Sequence, residues 1–199
     1  MEMLADDVAE LLIALEAPHA DVVGLSMGGY VALALWELRP HMVRSLGLID
    51  TRAVGDGPEA RSDRDAMAAR ILDSGRSELA TDMVTALLGR APSHRAQARL
   101  RSMVEGTRYE TLVAALAGMR DRNDRSSLLG GISVPSVIIS GEDDGLIPPE
   151  EARALAAAIP GARTTIVPDA GHLPAIEQPD AVNEALIELF EGRKVVWWK

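Results

Sequence analysis

A short apolar run, Asp21-Val-Val-Gly-Leu25, meets Ser26 and passes directly into a stretch rich in Ala and Leu from Gly28 to Leu38, with Gly24, Gly28 and Gly29 crowded about the serine. No other feature restricts the fold of this chain as much. The first run is too short for a helix and reads as a buried strand, whereas Gly28 to Leu38 reads as a helix stopped by Arg39-Pro40. A strand that becomes a helix within a single residue needs a tight, strained turn, and glycine lets the two backbones approach closely. Gly24 and Gly28 are expected to keep side-chain bulk out of that approach, with Gly29 relieving the same crowding one step later.

The same alternation recurs along the chain. Ser45 to Asp50, Ser136 to Ser140 and Thr164 to Pro168 are short, nearly continuous apolar runs, as in parallel strands covered on both faces. Asp6 to Leu15, Glu150 to Ile159 and Asp180 to Phe190 carry apolar residues at helical spacing. Strand and helix in turn predict an α/β fold, a doubly wound and mainly parallel sheet of about four strands. Between about residues 52 and 130 the pattern contains no convincing strand. It predicts helices over Asp63 to Leu72, Ser77 to Leu88, Ser93 to Glu105 and Tyr109 to Met119, an insertion that reads either as a functional lid or as a structural helical subdomain. At 199 residues with 47% hydrophobic side chains, the whole chain, 1–199, reads as one domain.

Charge and composition remove several functions. A formal net charge of -10, with no cluster of Lys and Arg, argues against nucleic acid as a partner. The chain has no cysteine, which excludes disulfides, zinc-thiolate sites and a cysteine nucleophile. Its apolar runs fall far below the roughly 18 residues that span a bilayer, and Met1-Glu2-Met3 lacks a basic signal-peptide opening. The expectation is a cytoplasmic protein without a membrane partner.

The turn at Ser26 has chemical meaning. A serine hydroxyl is a poor nucleophile unless a base accepts its proton and its geometry is fixed beforehand, and Gly24-Leu25-Ser26-Met27-Gly28 offers that geometry. The following helix aims its N-terminus at the place where an oxyanion would form, with the Met27 N–H as one donor. Of the four histidines, His19, His41 and His94 lie before a strand, after a proline and at a helix start. His172 follows the last strand in Asp169-Ala-Gly-His-Leu-Pro, at the carboxyl edge of the sheet where Ser26 also lies and where open α/β sheets place their sites. A carboxylate must orient that imidazole. Glu142, Asp143 and Asp144 all follow the third strand, and Asp50 ends the second. Composition does not choose among them.

These segments together, Gly-Leu-Ser-Met-Gly-Gly-Tyr, Ile-Asp-Thr-Arg-Ala, Gly-Glu-Asp-Asp-Gly-Leu-Ile-Pro-Pro-Glu and Ala-Gly-His-Leu-Pro-Ala-Ile-Glu-Gln-Pro, resemble bacterial α/β-hydrolases of the carboxylesterase and enol-lactonase type. The resemblance runs from the first helix to about Phe190. It implies Ser26 as nucleophile, His172 as base and, from the position of the acid between Gly and Pro in that family, Asp144 as the acid. It implies hydrolysis of small carboxylic esters with no cofactor and no metal.

The chain departs from the family pattern at its front. Members of that family carry several dozen residues, about four strands and a His-Gly loop with a second oxyanion donor, ahead of the segment where this sequence starts. The resemblance therefore implies a truncated α/β-hydrolase fold whose Asp21 to Leu25 strand is an apolar edge, and a homo-oligomer that covers this edge is the expected arrangement. The apolar tail Val195-Val-Trp-Trp-Lys199 is a candidate for the same interface. Two other readings stay open at this level, a weakly catalytic ligand-binding or signalling module that keeps the pocket, and a fragment of a longer hydrolase.

Overall fold

The computed structural model describes residues 1–73 and 75–191. The tail from Val195 to Lys199, named above as an interface candidate, lies outside the described residues. Four strands, β1 (Ala20–Leu25), β2 (Val43–Ile49), β3 (Ser136–Gly141) and β4 (Arg163–Val167), form one sheet in the order β1-β2-β3-β4, and every neighbouring pair is parallel. The register places Gly24 beside Leu48, Leu48 beside Ile138 and Ile138 beside Thr164. All four carboxyl ends therefore fall along one edge, which becomes the floor of the candidate site.

Strand periodicity divides the core into two layers. On one face Leu46, Leu48 and Ile138 pack with α1 (Glu2–Ala14), α2 (Met27–Leu38) and α7 (Pro149–Ala158), through Ala5, Ala9, Leu33, Leu35 and Leu155. On the other face Ile49, Val137, Ile139 and Val167 pack with α9 (Pro179–Glu191), through Val182, Ala185 and Leu189. β3 is buried along its entire length, which is why its sequence shows no polar alternation.

The insertion forms four helices, α3 (Pro58–Asp73), α4 (Arg76–Leu87), α5 (His94–Gly106) and α6 (Tyr109–Arg120). They share a core of their own around Ile71, Leu79, Leu100, Val104 and Leu116, which Leu173 and Ile176 join from the chain after β4. Ser93 caps α5, its hydroxyl accepting from the Ala96 N–H at 3.2 Å. α3 begins five residues before the expected Asp63, because Pro58 occupies a helix start and the first turn, Pro-Glu-Ala-Arg-Ser, buries little. The four-residue helix α8 (Pro174–Glu177) is too short to leave a periodic signal.

Beside β1, at the edge of the sheet among the described residues, Leu4, Val8, Leu11, Leu12, Val23 and Val31 line an open apolar groove of about 590 Å³. The expected apolar edge is thus present, with Val23 41% exposed. Among the described residues no helix is long and apolar enough to cross a membrane.

Candidate active site

Ser26 is the single residue between β1 and α2, with φ 51° and ψ -115°. A non-glycine side chain holds such a conformation only where the surroundings determine it. Here the Ser26 N–H donates to the Ile49 carbonyl at 2.8 Å, and the Ser26 carbonyl accepts from the Gly29 N–H at 2.9 Å and the Thr51 hydroxyl at 2.8 Å. The close approach rests on Gly24 and Gly29. A Cβ at Gly24 would lie 2.2 Å from the Gly28 carbonyl oxygen, and one at Gly29 would lie 2.4 Å from the Thr51 side chain. Gly28 differs from expectation, since a Cβ there would meet nothing within 4 Å. It faces the open groove rather than the strand.

His172 is brought to this turn from the loop between β4 and α8. Its Nε2 lies 2.8 Å from Ser26 Oγ and its Nδ1 lies 2.7 Å from Asp144 Oδ2. Asp144, in the loop between β3 and α7, is 4% exposed and its other oxygen, Oδ1, accepts from the N–H groups of Leu146 and Ile147 at 2.8 and 3.0 Å. Burial pushes the Asp144 carboxyl up. The bond and charge of His172 and the Ile147 N–H outweigh it and hold the group below the usual carboxylate range.

The alternatives for the acid separate clearly in space. Asp143 turns to Arg90, accepting from its N–H at 3.3 Å and pairing with its Nε at 2.9 Å, and Glu142 is exposed. Asp50 lies close behind Asp144 but is not the group that bonds His172. His19 and His41 precede β1 and β2 and so sit toward the opposite edge of the sheet, and His94 opens α5.

Three participants were not visible as site residues in the sequence. Thr51 fixes the Ser26 carbonyl, Leu87 accepts from the His172 backbone N–H at 2.9 Å, and Glu177 bridges two loops. The Glu177 carboxylate accepts from the Gly171 N–H at 2.8 Å and from the Gly89 N–H at 2.7 Å. Glu177 stands in the segment already singled out around His172, yet its backbone partners carry no sequence signature.

Ligand atoms of Asp50, Asp144 and His172 lie within 4.8 Å of one another. The 2.7 Å separation of Nδ1 and Oδ2 is a hydrogen-bond length that leaves no room for an ion between them, and Asp144 Oδ1 is occupied by two backbone donors. The donor set fits a proton-sharing chain better than a metal site.

A doubly wound sheet with a serine in a strained strand-to-helix turn, and a histidine and buried carboxylate converging from later loops, defines the α/β-hydrolase class. The chain belongs to the Alpha/beta hydrolase family, whose sequence profile matches residues 2–185. It is similar to the structure of a thermophilic esterase from Thermogutta terrifontis, with a TM-score of 0.91 and 36% identity, covering 96% of this chain and 72% of that one. A pimeloyl-[acyl-carrier protein] methyl ester esterase of Xanthomonas campestris pv. campestris is 34% identical over 184 residues, 87% of this chain and 72% of the relative. A Mycobacterium tuberculosis protein bearing the name non-heme bromoperoxidase BpoC is 30% identical over 216 residues, 97% of this chain and 76% of the relative. The chain is thus a hydrolase of this fold, and it spans about three quarters of the length of these relatives.

Proposed function

We propose that the chain is a serine esterase that cleaves small carboxylic esters through an acyl-enzyme. His172 Nε2 takes the proton of Ser26 as Oγ bonds to the ester carbonyl carbon, and the carbonyl π electrons move onto oxygen. The Met27 N–H, in the first turn of α2 where helical N–H groups have no internal acceptor, donates to that oxyanion. Collapse breaks the carbon–oxygen bond to the alcohol, which leaves with the proton held by His172. Water then attacks the acyl carbon with His172 again as base, releasing the acid and restoring Ser26. Asp144 keeps its charge throughout and stabilises the imidazolium.

The observation that carries this reading is the unbroken chain of two short hydrogen bonds, 2.8 Å from Ser26 to His172 and 2.7 Å from His172 to Asp144. Ester rather than another acyl substrate is favoured by the esterase names of two of the relatives. The helical block is the lid of this reading, since Leu173, next to His172, packs against the apolar cluster of that block.

Turnover of p-nitrophenyl acetate and butyrate by the wild type and Ser26→Ala tests the proposal. Wild-type turnover should fall by at least about 10³-fold in the variant. A fluorophosphonate should label the wild type once and leave Ser26→Ala unlabelled. Equal turnover in both proteins would exclude the mechanism.

A further inference from the structure

Two buried carboxyl groups meet behind His172, and only one of them has the partners of an anion. Asp144 accepts three hydrogen bonds, from His172 Nδ1 and from the N–H groups of Leu146 and Ile147. Asp50, 1% exposed at the end of β2 with φ 41°, accepts from the Gly141 N–H at 3.1 Å, and one of its carboxyl oxygens lies within 4.8 Å of an Asp144 carboxyl oxygen and a His172 ring nitrogen. Among the described residues Asp50 forms no ion pair with Lys or Arg. Arg52, two residues on, turns instead to the Leu146 carbonyl at 2.7 Å and to Glu151 at 3.0 Å.

Two carboxyl groups whose oxygens approach within 4.8 Å in a buried site, with no cation beside the inner one among the described residues, do not both ionise readily, so one of them keeps its proton. Asp144, which has the more donors, takes the charge. The groups facing Asp50 are the Asp144 carboxyl, the His172 imidazole and the neutral Ser140 hydroxyl.

We infer that Asp50 is a positioning residue, a neutral carboxylic acid that donates its proton to Asp144 and so holds the acid in line with His172, an inference that rests on the hydrolase reading above. Burial first, then the bond to and charge of Asp144, push the Asp50 carboxyl up to about 9. The arrangement has a clear chemical purpose. A second carboxylate beside His172 would stabilise the imidazolium in the resting enzyme and remove the free base, whereas a neutral donor orients Asp144 and adds no charge.

Asparagine distinguishes a neutral donor from an anion, because its amide oxygen can accept from Gly141 while its NH₂ donates to Asp144. Asp50→Ala should lose about ten- to hundredfold in kcat with KM little changed. Asp50→Asn should restore kcat to within about threefold of wild type, with the acid limb of kcat/KM moved by less than about 0.3 pH units. An ionised Asp50 would give the opposite result, since removing its charge would lower the imidazole pKa and carry that limb to lower pH by at least about half a unit.

Asn as impaired as Ala, a displaced acid limb, or Ala as active as wild type would each overturn the inference. If Ala does not fold, as judged by circular dichroism, the Asn profile decides alone. Ser26→Ala assayed alongside keeps the two proposals apart. Turnover that survives there sinks the serine mechanism, whereas a failed Asn rescue with Ser26→Ala inactive sinks only the role of Asp50.

Discussion

The backbone N–H of His172 donates to the carbonyl of Leu87 over 2.9 Å, so the loop that carries His172 hangs from the end of α4 rather than from the sheet alone. Glu177 closes the same joint from the other side by holding Gly171 and Gly89. Arg90 adds a third tie, to Asp143 beside Asp144. The helical block therefore sets the position of both loops that approach Ser26.

Glu177→Ala should release this joint. Two backbone N–H groups would lose their carboxylate acceptor, which costs on the order of 1–3 kcal/mol. Turnover should drop by about tenfold, with KM affected less, because the imidazole loses its placement before the substrate loses its pocket. Steady-state kinetics and urea unfolding of the one variant measure both effects, and a loss of stability without loss of kcat would show the clamp to be purely structural.

Asp50 gives stability an unusual pH dependence. Its folded value is raised, so between the unfolded carboxyl near 4 and the folded value of about 9 the native state binds a proton that the unfolded chain does not. This group's contribution is full below pH 4 and is lost as pH rises toward 9. The melting temperature should decline across that window, and Asp50→Asn should flatten the decline. An identical slope in the two proteins would contradict the assignment of the proton.

The buried cation at the base of the helical block supplies a stability test. Arg122, 3% exposed, pairs with Asp56 at 2.7 Å, donates to the Val54 carbonyl at 2.8 Å and stacks 4.2 Å from the Tyr30 ring, in the helix that follows Ser26. Arg122→Ala leaves Asp56 buried with Arg64 as its remaining cation and should destabilise the fold by about 3 kcal/mol in urea unfolding. Burial pushes the Asp56 carboxyl up, but Arg122 and Arg64 hold it below its usual value. Its contribution is present above about pH 4 and fades as pH falls through the lowered value. Wild type should therefore lose more stability than the variant on acidification from pH 5.

The glycines around Ser26 should not behave alike. Gly24→Ala and Gly29→Ala force a Cβ onto backbone and onto Thr51 and are expected to destabilise by about 2–3 kcal/mol or prevent folding. Gly28→Ala has open space and lies in α2, so it should stabilise by up to about 1 kcal/mol through helix propensity. Thermal unfolding of the three single variants orders them directly.

The strands and helices of the sheet were legible because each buries a face whose periodicity is local, and the meeting of Ser26 and His172 at one edge was legible because each follows the carboxyl end of a strand. Local pattern is written in consecutive residues, and elements such as β3 need no distant partner to declare themselves. The choice of Asp144 over Asp143 was not local. It depends on which carboxylate turns inward, and the pairing of Asp143 with Arg90, 53 residues away, decides that. Thr51, Leu87 and Glu177 stayed hidden for the same reason, since they act on backbone groups that every residue carries. Gly28 was misjudged because crowding depends on what lies opposite a glycine, and the motif names only the glycine. The sequence alone thus determined the α/β order and the edge where Ser26 and His172 gather. Only the packed structure decided which side chains meet there, because hydrogen bonds between loops far apart in the chain exist only after the sheet and the helical block have come together.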